Sequence, residues 1–196
     1  MSRMNHDAGG SEARFGTHIL HFPKATRWTS PFAVECLRQQ LELMPGLRVE
    51  FDAPKGWRPL PLSPPDGKFS ILSPAGNATL MLSAGLLLLG AKLEMIAGSP
   101  FIKYQQAGAT SPVVVTTPIV TADHLQGHQI HGPLMFPGNL VGMPNEAHVP
   151  MFKHTIVIAK DGHWFSFETQ AWGAELNIPT EVAAQMELYS RLKVVS

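Results

Sequence analysis

The run MFKHTIVIAKDGHWFSFETQA (Met151–Ala171) decides the architecture. Two stretches rich in β-branched and aromatic residues, Met151–Lys160 and His163–Ala171, flank Asp161-Gly162. An Asp-Gly pair tolerates the left-handed backbone of a tight two-residue turn, so the run predicts an antiparallel β-hairpin. Upstream, FSILSPAGNATLML (Phe69–Leu82) repeats the pattern: Lys68–Ser73 and Ala78–Ala84 are short runs separated by Pro74-Ala75-Gly76-Asn77. LRVEF (Leu47–Phe51) alternates apolar and charged residues like a half-buried strand, and THILHF (Thr17–Phe22) reads as another short strand. Ser111–Ala122 is β-rich, with Pro118 predicting an edge strand or a bulge.

Helices are expected between these strands. Ser30-Pro31 followed by FAVECLRQQLELM places Phe32, Cys36, Leu37, Leu41 and Met44 at three- and four-residue spacing, with Pro45-Gly46 as a stop. Leu86 to Gln106 is helical in character, with Leu89, Leu93, Ile96 and Ile102 on one face and a kink at Gly98-Ser99-Pro100. A closing helix over Pro179–Leu192, capped by Asn177 or Thr180, puts Val182, Met186, Tyr189 and Leu192 on one face. The fold class is therefore α/β in its α+β form, an antiparallel β-sheet flanked by helices. Residues 1–16 are expected to be a disordered tail, and 17–196 a single domain whose first part, 17–46, is an extension carrying a helix.

Composition excludes several functions. Lys plus Arg and Asp plus Glu number 15 each, and no basic run occurs, so the cationic footprint of a nucleic-acid binder is missing. Cys36 is the only cysteine, which rules out an internal disulfide and an all-cysteine zinc site. Gly85, Gly90, Lys92 and Glu94 interrupt the most apolar stretch, Ala78–Gly98, which reads as a strand running into a helix and not as a membrane insertion. The polar beginning of the chain has no export signal, so a cytoplasmic location is expected. Neither a GxSxG elbow nor a glycine-rich phosphate loop is present, so no cofactor and no catalytic residue is expected.

Three segments carry a resemblance: the strand that runs into Pro54-Lys55-Gly56-Trp57, the FSILSPAGNATLML hairpin, and the KDGHWFSFET hairpin ahead of a helix ending LYSRLKVVS. Over roughly residues 47–196 their order resembles the PsbP-like superfamily. That group includes photosystem extrinsic proteins, a nuclear-transport Ran-binding factor, DcrB-like lipoproteins and the adaptor chaperones of type VI secretion effectors. The resemblance implies an α-β-α sandwich around an antiparallel sheet. It also implies a non-enzymatic binding, adaptor or chaperone role. The chain departs from the lipoprotein members in having no lipobox cysteine, and from the small adaptors in its first 45 residues and the stretch 123–150.

Two stretches are candidate sites. From Tyr104 through Asn145, 42 positions, the only charged residue is Asp123. Within that run, Leu134–Met143 is apolar and broken by Pro137, Gly138 and Gly142, which predicts an irregular loop. Its residues Leu134, Met135, Phe136, Leu140, Val141 and Met143 are the expected contacts for a protein partner with an apolar segment. The same loop facing its own copy gives a homo-oligomeric structural protein as an alternative. His124, His128 and His131 have i, i+4, i+7 spacing; on a helix they share a face and suit a divalent metal, the alternative of a metal-dependent enzyme.

Overall fold

The computed structural model describes residues 28–60, 68–111, 114–121 and 124–195, and the backbone of 12–15 and 18–21. Two short strands, β1 (Glu12–Phe15) and β2 (His18–His21), pair antiparallel. The rest of the tail expected over 1–16 lies outside the described residues. Next come β3 (Cys36–Met44), β4 (Leu47–Pro54), β5 (Arg58–Pro59), β6 (Lys68–Leu72) and β7 (Ala78–Leu86). After helix α1 (Leu93–Gln106) stand β8 (Val115–Val120), β9 (Gln126–Pro137), a short 3-10 turn (Gly138–Val141) and β10 (His148–Lys160). The chain closes with β11 (His163–Trp172), α2 (Ile178–Ser190) and β12 (Lys193–Val195).

Ten of these strands form two antiparallel sheets, one of seven strands in the order β5-β6-β7-β11-β10-β9-β8 and one of three, β12-β4-β3. This is the α+β architecture that the hairpin signals predict. The β10–β11 turn is made by Asp161 and Gly162, both at positive φ, with Lys160 opposite His163. The β6–β7 hairpin closes through Ser73, whose Oγ accepts the backbone N–H groups of Asn77 and Ala78.

β10 is buried on both faces, as a central strand covered on both sides must be. Its Phe152, Ile156 and Ile158 enter a first core with Leu80, Leu82, Phe165 and Phe167, closed by Val49 and Phe51 of the small sheet and by Ile178, Leu188 and Tyr189 of α2. On the opposite face Val149, Met151 and Val157 pack with Ala97 and Phe101 of α1. The helices thus lie on opposite faces of the large sheet, an α-β-α arrangement.

Three local expectations are corrected. The helix expected from Pro31 to Met44 is strand β3. The cap chemistry is present, since Ser30 Oγ accepts the Phe32 N–H at 3.2 Å, but it ends as a turn. Cys36–Met44 is drawn instead into a hairpin with β4, where Arg38 faces Asp52 and Glu42 faces Arg48. Arg38 bonds Asp52 and Glu50, both at 3.1 Å, and these tertiary pairings override a periodicity that fits helix and strand alike. The second correction concerns Leu134–Met143, expected as an irregular loop: β9 runs into it as far as Pro137, while β8, the edge strand, contains Pro118 as expected. Thirdly, α1 starts at Leu93 and continues through Pro100, held on both sides of it by buried Ala97 and Phe101. No helix among the described residues is long and apolar enough to cross a membrane.

Candidate functional site

α1 covers β9 and β10 and leaves the β6-β7-β11 side of the same sheet face open. The resulting groove has a volume of about 710 Å³. Side chains alternate across a strand, so β7 turns Leu80 and Leu82 into the first core and Met81 and Ser83 into the groove. β11 likewise buries Phe165 and Phe167 and offers Trp164, Ser166 and Glu168. The helix is two-faced as well. Ala97 and Phe101 point to the core, while Lys92, Met95, Ile96, Ser99 and Lys103, spaced by three and four residues, form the groove wall. Lys68 of β6 stands on the far rim.

Trp164 lies directly across from Gly85, and a Cβ at Gly85 would collide with the indole ring. Glycine there lets the ring lie flat over β7 and line the groove. Beside it the floor is polar. Ser83 and Ser166 share a hydrogen bond of 2.8 Å, and the Ser166 hydroxyl donates to Glu168 at 3.4 Å. Glu168 accepts from the Lys153 ammonium at 2.7 Å, with Lys153 only 1% exposed. Burial alone would lower the Lys153 pKa; the Glu168 carboxylate and Tyr104 outweigh it and hold the ammonium above the usual lysine value. Tyr104 ties α1 to the sheet: its hydroxyl donates to Gln170, and its ring centroid lies 5.3 Å from Lys153 Nζ.

The β7–α1 connection leaves Leu88 and Leu89 exposed, and Met95, on the groove wall, is 68% exposed. Leu88 and Leu89 precede Ala91 and Lys92, the first residues of the groove wall, by a few positions.

The residues singled out in the sequence are placed elsewhere. Leu134 and Phe136 lie on β9 and are buried in the core under α1, with Tyr104 packed edge-on against Phe136 at 5.1 Å. Met135 is half-buried on the same strand, Val141 and Met143 pack against that core, and Leu140 is exposed. The irregular apolar loop is therefore a strand end and a 3-10 turn, because β9 continues its ladder with β10 through Pro137. Gly138 allows the tight turn: a Cβ there would overlap the carbonyl oxygens of Met143 and Glu146.

The three histidines do not converge. His124 is exposed in a turn at φ +60, and His128 and His131 lie on β9, three residues apart and thus on opposite faces of the sheet. His128 Nε2 is buried with no partner. His131 faces His154, ring centroids 5.0 Å apart, and His154 stacks on Tyr189 at 4.2 Å. Burial, with His131 and Lys153 nearby, pushes the His154 pKa down to about 3, and burial lowers that of His131 too. Among the described residues no three metal-ligating side chains come together.

No family model matches the chain, and no curated protein matches it by sequence. Solved structures do resemble it. The Ran-binding protein Mog1p of Saccharomyces cerevisiae is 12% identical, with 83% of this chain and 97% of that chain covered at a TM-score of 0.49. LpqN, involved in cell envelope biogenesis of Mycobacterium tuberculosis, is 15% identical, with 82% and 92% covered at a TM-score of 0.43. Likenesses of this depth assign no function, and the architecture rests on the chain's own strands and helices.

The groove was missed in the sequence although its two signals are there. The alternation Leu80/Leu82 against Met81/Ser83 and Phe165/Phe167 against Trp164/Ser166/Glu168 marks a second, mixed sheet face, and the stripe from Lys92 to Lys103 marks a second helix face. Only the pairing of β7 with β11 brings them together.

Proposed function

We propose that the chain is a non-enzymatic binding protein of the adaptor or chaperone kind. In this reading it holds a segment of a protein partner in the groove between α1 and the β6-β7-β11 side of the sheet. The observation that carries it is a groove whose wall is apolar and accessible, with Met95 68% exposed beside Ile96, Met81 and Trp164, over a polar floor of Ser83, Ser166 and Glu168. The floor groups support binding over catalysis: Glu168 is engaged by Lys153 and Ser166, which leaves it satisfied and not poised as a base. A cytoplasmic setting belongs to this reading, as does contact with a partner segment that is itself partly apolar.

The test is affinity capture from the source cell with the wild-type chain and a Leu88→Asp/Met95→Asp variant, read by mass spectrometry. One protein recovered near stoichiometrically by the wild type and lost with the variant, at unchanged far-UV circular dichroism, is the expected result. Identical recoveries from the two baits would end the proposal.

A further inference from the structure

The charges around the groove select among the segments it could hold. Its charged lining consists of Lys68, Lys92, Lys103 and Glu168. Glu168 is already neutralised by Lys153 from below, at 2.7 Å. Lys68, Lys92 and Lys103 are exposed and form no ion pair among the described residues. Among the described residues the lining lysines on the two walls thus have no acidic partner. Lys92 is also the N-cap of α1, where no side chain accepts the first helical N–H groups, so the helix end adds a partial positive charge of its own. Glu94, the acidic residue of that first turn, is not part of the lining. Between the lysines the wall is apolar, with Met95, Ile96 and Pro100 facing Met81 and Trp164.

We propose that the groove takes an acidic amphipathic polypeptide segment, with apolar side chains seated on Met95, Ile96, Met81 and Trp164 and carboxylates meeting Lys68, Lys92 and Lys103. This rests on the docking reading above. Lys92 and Lys103 stand eleven positions apart on α1, about 16 Å along its axis, so the carboxylates they meet are separated by about three helical turns. Charge matching of this kind acts on partner choice and encounter rate and weakens with salt.

Two fluorescent peptides of about four helical turns test it, sharing one leucine stripe and carrying Glu or Lys at the polar positions. Binding to the full chain is followed by anisotropy at low and high salt. The Glu peptide is expected to bind at least about tenfold more tightly than the Lys peptide, by a margin that shrinks with salt. Lys92→Glu/Lys103→Glu should reverse the order, and the milder Lys92→Gln/Lys103→Gln should abolish the preference with circular dichroism unchanged. Equal binding of the two peptides that is lost in Leu88→Asp/Met95→Asp overturns the acidic partner but leaves the docking reading standing. Failure of both peptides to bind overturns both. Quenching of tryptophan fluorescence by oleate, with no peptide binding, would instead mark the groove as a site for a small amphiphile and would also overturn the proposal.

Discussion

Lys153 and Glu168 sit on neighbouring strands, with the ammonium closed off from water and the carboxylate nearly so. Such a pair adds little net stability, since desolvation offsets most of the attraction, but breaking it leaves one buried charge alone. Lys153→Met is therefore expected to cost about 3–5 kcal/mol in urea unfolding. Adding Glu168→Leu to that variant should restore most of the loss. A double variant no more stable than the single one would mean that Glu168 is solvated independently of Lys153.

At the scale of elements, the turn from β9 to β10 distinguishes buried from exposed apolar residues. Phe136 ends β9 inside the core, whereas Leu140 on the following 3-10 turn is 53% exposed. Phe136→Asp is expected to destabilise the fold by about 4 kcal/mol or more, and Leu140→Asp by less than about 0.5 kcal/mol, in thermal or urea unfolding. Comparable losses from the two would mean that Leu140 is covered. The same turn shows what sequence periodicity can reveal. The hairpins β6–β7 and β10–β11, the Pro118 edge strand and the Asn177-capped α2 were legible, because turn residues and caps act locally. β3 was not, since Arg38, Glu42 and their partners Asp52, Glu50 and Arg48 become visible only when β4 is laid beside it. The buried face of α2 was rotated from the expected one: Glu181 and Gln185 are inside and Met186 is 43% exposed. Glu181 is kept there by the Trp28 indole at 2.8 Å and the Gln185 amide at 3.1 Å, partners that no hydrophobic pattern announces.

For the molecule as a whole, His154 sets an acid limit. Above about pH 6.5 its ring is neutral in both the folded and the unfolded chain and adds no pH dependence. As the pH falls below 6.5 the unfolded chain takes up a proton that the folded chain refuses until about 3, so stability is lost across that window. By about pH 5 the loss is about 2 kcal/mol, and the lowered pKa of His131 acts in the same direction. His154→Gln should reduce the difference between urea midpoints at neutral and mildly acid pH. An unchanged difference would mean that the ring titrates normally in the fold.

The neighbour relation of β7 and β11 has a consequence in time. Ser83 and Ser166, bonded in the groove floor, are 83 positions apart in the chain. At about 5–20 residues per second of synthesis, the second strand leaves the ribosome roughly 4–17 s after the first. Throughout that interval β7 lacks the strand that borders its second edge in the finished sheet, while α1, β8, β9 and β10 are made. The groove is thus the last part of the sheet to exist, and a nascent chain cannot engage a partner there until β11 has emerged.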